Sequence, residues 1–301
     1  MKSPLAIVTM VYNEPEFLPV WHRHYAAQVG EAALHVIDHG SNDGSTEHLG
    51  AINRLRIPRS PQDDETRTHA ISHYCASLLA WYDAVIYVDV DEFLVADPAL
   101  FASLPDFTRQ WPDPIVTATG LDVIHMPHQE TEIDWSRPIS EQRRHVRFTS
   151  SMCKPSLIRR PVSWAPGFHN TTEAPPQLSV PLFLFHLRYA DLNSDLKRLE
   201  RTRQQPWISE DSGRHQRMKN EDWANMLKAM AALDIHPHAD LSSKDAELSR
   251  WRQLVETSGL ERLHERYKLD LHISGDALWR LPDRFVGSLQ RMRNPPCVSA
   301  R

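Results

Sequence analysis

The sequence predicts an α/β protein, a doubly wound and mostly parallel sheet with a helical C-terminal extension. In the first half, apolar runs rich in β-branched residues alternate with helix-length amphipathic segments. These runs are continuous rather than alternately polar, which is typical of strands buried on both faces. After Asp191 the pattern changes to charged helical segments. Such a β-α-β-α-β order favours a parallel sheet, and we divide the chain into residues 1–190 and 191–301.

The elements of the first part follow from periodicity and from turn residues. The segment at 16–29 has apolar positions at helical spacing and ends at Gly30, as amphipathic helices commonly do. Residues rich in Pro and Trp up to 181 predict irregular loops over a pocket. The predicted order is a strand at 5–12, a helix at 16–29, a strand at 33–37, a short helix capped by Ser45, a strand at 54–57, a helix at 65–82, a strand at 84–88, a helix near 98–111, a strand near 115–124 and a strand at 183–187.

The second part predicts three charged helices, at 191–205, 220–233 and 242–267. Pro237 marks a loop, and Pro295 and Pro296 mark a loose tail. We expect these helices to pack on the sheet. They could shape an acceptor site, contact a membrane surface or form an oligomer, and the sequence leaves these three roles open.

Composition limits the classes of function. The 301 residues are 41% hydrophobic, contain no apolar run of membrane-spanning length, and carry a net charge of -5, which argues against general nucleic-acid binding. Cys75, Cys153 and Cys297 are widely spaced and indicate reduced thiols of a cytoplasmic protein. Residues 1–190 contain 15 Lys and Arg against 22 Asp and Glu, a charge of -7. An acidic part of this kind is a poor host for a phosphate-bearing ligand unless a divalent cation mediates.

The most informative segment is 84–93, an apolar run that ends in the acids Asp89, Asp91 and Glu92. Asp89 and Asp91 would point the same way on an extended chain. Carboxylates crowded at a strand end are tolerable if they face a crevice and hold a cation. In open α/β sheets ligands bind at that edge. A solvated acidic turn is the alternative interpretation.

Two polar turns follow the first two strands and are expected at the same edge. Asn13 and Glu14 end the first turn and can bond a base or ribose, although a helix start is an equal alternative. The second turn, 38–46, contains Asp38 and Asp43 together with two glycines that permit left-handed backbone. A plain βα turn is its alternative. Neither turn has the glycine pattern of a dinucleotide-binding or phosphate-binding loop.

Downstream residues could complete such a site. His169 and His186 are candidate imidazole ligands for a cation already held by carboxylates. Lys154 or Arg188 could neutralise a diphosphate. Any one of the 17 histidines is more often a surface or core residue than a ligand. The basic run at 143–147 is interpreted as a solvated face.

Three of these pieces occur in an order that resembles a known family. They are Asn13-Glu14 after the first strand, residues 38–45 (Asp-His-Gly-Ser-Asn-Asp-Gly-Ser) and residues 88–93 (Val-Asp-Val-Asp-Glu-Phe). Together they resemble the family 2 glycosyltransferases of the GT-A fold, in particular a bacterial branch with an Asp-Val-Asp-Glu-Phe signature. The resemblance covers about residues 5–190.

The resemblance implies an inverting transfer from a UDP- or GDP-sugar to a glycan or lipid-linked acceptor, with Mn²⁺ or Mg²⁺ as cofactor, in the cytoplasm or at the inner face of the membrane. It implies Asp89 and Asp91 as metal ligands, with His186 or His169 as a further candidate. The donor-binding residues that it implies, with Lys154 as the candidate diphosphate contact, are Thr9, Asn13, Glu14, Asp38, Asp43, Arg67, Asp89 and Lys154.

The catalytic base is less clearly marked. Many family members carry a Glu-Asp pair after a Gly-Gly-Phe-Asp-like turn, whereas this chain has Gly167-Phe168-His169 and no such pair. We take Glu173 as the first candidate for the carboxylate that deprotonates the acceptor, Asp122 as the second and Asp191 as the third.

Other functions fit the sequence less well. A haloacid dehalogenase-type phosphohydrolase would use Asp89 as its nucleophile, but its pattern usually continues with Thr or Val where Glu92 stands. A nucleotidyltransferase would need a Gly-rich loop with Arg and Lys after the first strand, which the sequence lacks. A non-catalytic, nucleotide-sugar-binding scaffold protein remains the alternative outside enzymes.

Overall fold

The computed structural model describes residues 2–236, 239–259, 262–263, 266–267 and 269–289. The helices are α1 Phe17–Val29, α2 Asp64–Leu78, α3 Leu104–Gln110, α4 Ile139–Gln142, α5 Leu192–Gln204, α6 Asn220–Ala231 and α7 Ala246–Ser258. The strands are β1 Ala6–Val11, β2 Leu34–Asp38, β3 Asn53–Arg56, β4 Val85–Tyr87, β5 Glu92–Ala96, β6 Ile115–Ile124, β7 His145–Phe148, β8 Pro155–Ile158, β9 Leu178–His186, β10 Ile235–His236, β11 Arg262–Leu263, β12 Arg266–Tyr267 and β13 Leu278–Arg280.

Among the described residues, eleven strands form one large sheet in the order β10-β13-β7-β6-β8-β4-β1-β2-β3, with β9 beside β6 and β5 beside β9. The strands β3, β2, β1 and β4 are parallel neighbours. Ile7 of β1 packs in the same core cluster as α1, and Val8 packs in the cluster that contains α2. Helices therefore cover opposite faces of this part of the sheet, and the predicted α/β fold class is confirmed.

Beyond β4 the sheet becomes mixed. β8 is antiparallel to β4, β6 pairs with β7 and β8 in antiparallel fashion, and β9 runs parallel to β6. The sequence missed β5, β7 and β8. It missed β5 because the apolar run at 84–93 continues through it, whereas the chain turns between Tyr87 and Glu92. Asp89 and Asp91 consequently lie in the turn between two strands.

The residues after 191 add helices and strands. β13 pairs with β7, and β10 pairs with β13, so this part extends the large sheet as well as packing on it. The helix expected at 242–267 is shorter. α7 begins after Asp245, which accepts a hydrogen bond from the Leu248 backbone, and ends at Ser258, just before Gly259. Part of the expected span, and the Pro237 and 295–296 segments, lie outside the described residues.

Several smaller expectations are corrected. The helix expected near 98–111 begins only at Leu104, because Ser103 caps it. Ser45 caps no helix, since its amide and hydroxyl both bond Asp43 within a turn. In the basic run, Arg143 is 1% exposed rather than solvated. Its guanidinium pairs with Asp191 at 3.1 Å. Cys75 and Cys153 are buried free thiols, and Cys297 lies outside the described residues.

Candidate functional site

The strand-end acids lie at the sheet edge where β1, β2 and β4 all end. β1 and β4 are parallel, with Val8 opposite Tyr87, so the segments after them leave the sheet on the same side. The turn after β4 is closed by a 3.0 Å hydrogen bond from the Glu92 backbone N–H to the Asp89 carbonyl. Asp89 and Asp91 thus sit next to the turn that begins at Asn13.

Asp89 is held by three donors. Arg67 of α2 and the Tyr87 hydroxyl, the latter at 2.9 Å, both donate to its Oδ1. Lys154 Nζ lies 3.4 Å from its Oδ2. Burial raises the pKa of Asp89, but the charges of Arg67 and Lys154 outweigh it and lower the pKa to about 2. Asp89 is therefore a permanent anion at neutral pH.

Glu92 and Lys154 form the most buried pair of the site. Lys154 Nζ donates to Glu92 Oε1 at 2.5 Å, and Glu92 Oε2 accepts the Asp89 backbone N–H at 3.1 Å. Burial lowers the pKa of Lys154, but the neighbouring carboxylates Glu92 and Asp89 outweigh it and raise the pKa. Lys154 therefore remains a fixed ammonium group beside Asp89.

Asp91 is held by Arg198 of α5 and by His186 of β9. Arg198 Nη1 donates to Asp91 Oδ2, and its Nε and Nη2 donate to Glu14 Oε1 at 2.9 and 2.8 Å. Burial raises the pKa of Asp91, but Arg198 and His186 outweigh it and hold the pKa well below its usual range. For Glu14 burial prevails over Arg198, and its pKa is raised.

His186 joins Asp91 to Asp122. Its Nε2 lies 3.6 Å from Asp91 Oδ2, and its Nδ1 lies 2.8 Å from Asp122 Oδ1. The strand register creates this contact, because His186 is opposite Glu92 on β5 and opposite Asp122 on β6. Burial lowers the pKa of His186, but the two carboxylates outweigh it and raise the pKa to about 9. The imidazole is consequently protonated at neutral pH.

Arg188 lies near Asp91 and Asp195. Arg188 follows β9, and its guanidinium lies 4.8 Å from the ring centroid of Trp223. Its Nη2 is buried and has no hydrogen-bond partner among the described residues. Burial raises the pKa of Asp195 well above its usual range, although Arg188 opposes this. Arg188 thus adds a positive charge near Asp91, with one buried donor nitrogen that has no hydrogen-bond partner among the described residues.

The two polar turns contact each other. Asn13, in left-handed backbone at φ 52°, donates to the Asn42 side chain at 2.8 Å and accepts the Asn42 backbone N–H at 2.9 Å. The Asn13 backbone donates to Ser41 Oγ at 3.1 Å, and that of Glu14 to Ser45 Oγ at 3.3 Å. The turn after β1 and the turn after β2 therefore form one surface beside the acids.

Asp38 and Thr9 lie beneath this surface. Asp38 is fully buried and accepts the Ser41 backbone N–H at 2.7 Å, the Thr46 hydroxyl at 3.0 Å and Arg56 Nη1 at 2.8 Å. Burial raises the pKa of Asp38, but these hydrogen bonds outweigh it and lower the pKa. Thr9 is fully buried within β1. Both residues shape the turns from within, whereas Asp43 is exposed on their outer side.

The remaining candidates lie in other surroundings. Glu173 accepts the Ser163 backbone N–H at 2.9 Å and lines a cavity of about 320 Å³ beside α2. His169 Nδ1 contacts the Ser151 carbonyl at 2.8 Å. The turn that contains His169 packs Phe168 against Tyr87, with ring centroids 4.2 Å apart.

Asp191, the third base candidate, caps α5 by accepting the Ser194 backbone N–H at 3.0 Å, and it pairs with Arg143. The structure therefore brings a subset of the candidates into one contact network, whereas Glu173, His169 and Asp191 have their recorded contacts elsewhere. The network has two halves, which the backbone between Asp89 and Asp91 joins. Arg67 and Lys154 contact Asp89 in one half, and Glu14 (through Arg198), His186 and Asp122 (through His186) are linked to Asp91 in the other.

Arg198 and Tyr87 are site residues that the sequence analysis missed. Tyr87 lies two residues before Asp89, and this spacing, which places both side chains on one side of a strand, could have indicated it. The sequence gives a weaker indication of Arg198, since an arginine on an amphipathic helix is usually solvated. Its partner Glu14 is 184 residues away in the sequence.

The donor atoms of the site fit a divalent cation that a ligand completes. In the part of the chain that the structure describes, no group of three His, Cys, Asp or Glu side chains could hold a metal ion alone. Cations such as Mg²⁺ are often held by one or two carboxylates, with phosphates and water completing the shell. Asp89 and Asp91 supply that kind of partial donor set, whereas both ring nitrogens of His186 face the carboxylates of Asp91 and Asp122.

Comparisons with known proteins give distant likenesses. No protein-family model and no curated protein matches the sequence. Solved structures similar to the chain include a mannosyltransferase from Pyrobaculum calidifontis in complex with GDP-Man and Mn²⁺ (15% identity, 97% of this chain and 70% of that chain, TM-score 0.29). Another is mannose-1-phosphate geranyltransferase from Thermus thermophilus (10% identity, 92% and 76%, TM-score 0.31).

Two further likenesses cover 42% of this chain each. They are a mycobacterial protein (17% identity, TM-score 0.28) and CMP:2-keto-3-deoxy-manno-octonic acid synthetase complexed with CTP (15% identity, TM-score 0.27). The matches span 44% and 55% of those two chains. Among the described residues, no helix is long and apolar enough to cross a membrane.

Proposed function

We propose that this protein is a metal-dependent, inverting glycosyltransferase that acts in the cytoplasm. It would move a sugar from a UDP- or GDP-sugar to a hydroxyl of a glycan or lipid-linked acceptor. The observation that carries the proposal is the network in which Asp89 and Asp91, at a strand-end edge, meet buried cationic side chains. Carboxylates for a divalent ion together with fixed cations for phosphate oxygens suit the departure of a nucleoside diphosphate.

The proposed donor site uses the two sides of this network. Asp89 and Asp91 hold the cation, which when bound stabilises negative charge on the leaving diphosphate. Lys154, fixed by Glu92, adds positive charge beside Asp89. Arg188 adds a further positive charge near Asp91. The nucleoside lies against the joined turns, where Asn13 and Asp43 are accessible and Thr9 and Asp38 support them from within.

We propose Asp122 as the catalytic base in preference to Glu173. Inversion is a single displacement in which the bond between the anomeric carbon and the acceptor oxygen forms while the bond to the diphosphate oxygen breaks. The acceptor proton passes to a carboxylate during this step. Asp122 is supported by its 2.8 Å contact with His186, which ties it to the Asp91 side of the network.

The phosphohydrolase alternative is less well supported. Its pattern usually continues with Thr or Val at the position where Glu92 stands, and Glu92 is here paired with Lys154. Asp89-dependent release of phosphate from an aryl phosphate would nevertheless favour that function. Nucleotide binding without turnover would favour a scaffold protein.

A donor screen tests the proposal. UDP- and GDP-sugars are incubated with the protein and Mn²⁺ or Mg²⁺, with and without glycan acceptors, and nucleoside diphosphate release is measured. We expect release with at least one donor, its loss in Asp91→Ala, and no change in Asp222→Ala, which removes an exposed acid on α6. If no donor and acceptor mixture gives release, or Asp91→Ala releases as much as the wild type, the proposal fails.

A further inference from the structure

Helix α5 is attached to the candidate site by two arginines that lie on one helical face. Arg198 spans Glu14 and Asp91, and its guanidinium lies 4.7 Å from the ring centroid of Phe17. One turn further along, Arg201 makes two hydrogen bonds to Glu16, at 2.9 and 2.5 Å. Residues three apart on a helix project from the same side, so both arginines reach the segment between β1 and α1.

The two arginines have different partners. Arg201 pairs with Glu16, and both side chains are about one quarter exposed. The Arg198 side chain is 11% exposed, and of its three donor nitrogens two bind Glu14 and one binds Asp91. Arg198 can therefore lose its bond to Asp91 and keep those to Glu14, while Arg201 keeps the helix in place.

We propose that Arg198 is an internal counter-ion that competes with the divalent cation for Asp91. It holds Oδ2 of this carboxylate when no cation is bound, and the cation displaces it. This inference rests on the proposed function, because the cation is the one that the donor would bring. A guanidinium and a divalent cation at one carboxylate oxygen repel each other at contact distance, so each weakens the binding of the other.

The competition has a structural consequence for Glu14. When Arg198 no longer binds Asp91, its charge lies wholly with Glu14, the acid that ends the first polar turn. Occupation of the metal site and the charge of the turn beside it are thereby linked. Such linkage is reciprocal, so whatever strengthens the bond between Arg198 and Asp91 must weaken cation binding by the same factor.

The test measures Mn²⁺ affinity directly, from the electron paramagnetic resonance signal of free Mn²⁺, with and without UDP or GDP. We expect Arg198→Gln to bind Mn²⁺ about tenfold more tightly than the wild type. The matched control Arg201→Gln removes a guanidinium from the same helical face without touching Asp91, and its affinity should equal that of the wild type. Arg198→Lys keeps the charge for folding but lacks the forked geometry, and it should bind Mn²⁺ more tightly than the wild type by a smaller factor.

The outcomes separate the inference from the function on which it rests. If the wild type binds Mn²⁺ in a manner that Asp91→Asn abolishes, but folded Arg198→Gln and Arg198→Lys bind no more tightly, the competition is overturned. Equal gains in Arg201→Gln would also overturn it, because the effect would then come from charge in general. If neither the wild type nor the Arg198 variants show binding that depends on Asp91, the metal-dependent function itself is wrong.

Discussion

Lys154→Met removes the ammonium group that lies 2.5 Å from Glu92 Oε1 and 3.4 Å from Asp89 Oδ2. Methionine retains much of the lysine stem, so the change is chiefly one of charge. The Lys154 and Glu92 side chains are only 6% and 3% exposed, so water cannot replace the lost partner. We expect the free energy of unfolding to fall by about 3 to 5 kcal/mol, as is typical when one partner of a buried pair is removed.

Protonation of Glu92 limits the fall in the free energy of unfolding that Lys154→Met causes. Protonating a carboxyl with an ordinary pKa of 4.5 at pH 7 costs about 3 kcal/mol, since one pKa unit is about 1.4 kcal/mol. In the wild type, burial raises the pKa of Glu92 despite Lys154, and without Lys154 the pKa rises further. The folded variant then binds a proton that the unfolded chain lacks, so the loss is largest at high pH and shrinks as the pH falls towards 4.5.

Urea titrations at pH 7 and pH 5 measure both effects as differences from the wild type. The double variant Lys154→Met with Glu92→Gln should recover about 2 kcal/mol, because the uncompensated carboxylate is gone. Lys244→Met, at an exposed position, is the matched control and should leave stability unchanged within about 0.5 kcal/mol. A loss below about 1 kcal/mol at pH 7, or an equal loss at both pH values, would refute the reasoning.

Stability should also depend on His186, whose pKa is lowered by burial but raised overall to about 9 by Asp122 and Asp91. Because this folded pKa exceeds the ordinary 6.5, about 3 kcal/mol of stability is present below pH 6.5 and is lost as the pH rises through 9. Urea titrations should show a steeper fall between pH 6.5 and 9 for the wild type than for His186→Gln, and parallel curves would contradict this. Asp122→Asn should lower the rate of nucleoside diphosphate release about 100-fold, whereas Glu173→Gln should change it less than about threefold in initial-rate assays. The opposite ranking would make Glu173 the base. Asp38→Ala should destabilise the fold by about 2 to 4 kcal/mol in thermal unfolding, because it leaves buried donors unpaired. An unchanged midpoint with weaker nucleotide binding would instead indicate a direct contact.

The sequence could predict that the polar turns meet at one edge of the sheet, because that prediction depends on local sequence patterns. Continuous apolar runs identified β1, β2 and β4, and parallel strands end at one edge, so the polar turns at Asn13 and Asp38 were expected near Asp89. The reciprocal hydrogen bonds between Asn13 and Asn42 are consistent with that expectation. The turn between β4 and β5 could not be predicted, because both strands are apolar and the sequence between them continues the same run.

Ion-pair partners that are far apart in the chain could not be predicted from the sequence either. Arg198 meets Asp91 across 107 positions, and Arg143 pairs with Asp191 within the protein although its neighbours suggest a solvated face. A charged side chain becomes buried only where tertiary packing supplies its partner, and no local periodicity records which partner that is. Asp38 illustrates the same limit, since its position suggested ligand binding while its hydrogen bonds hold its own turn.

The central claim is that Asp91 holds a divalent cation together with a nucleoside diphosphate. Calorimetric titration of UDP and of GDP into the protein, with Mn²⁺ and with a chelator, tests this directly in the wild type and in Asp91→Asn. We predict that at least one nucleotide binds with Mn²⁺, and that the affinity falls at least about tenfold with the chelator and in Asp91→Asn. Equal affinity in all of these conditions, or no binding of either nucleotide, would contradict the claim.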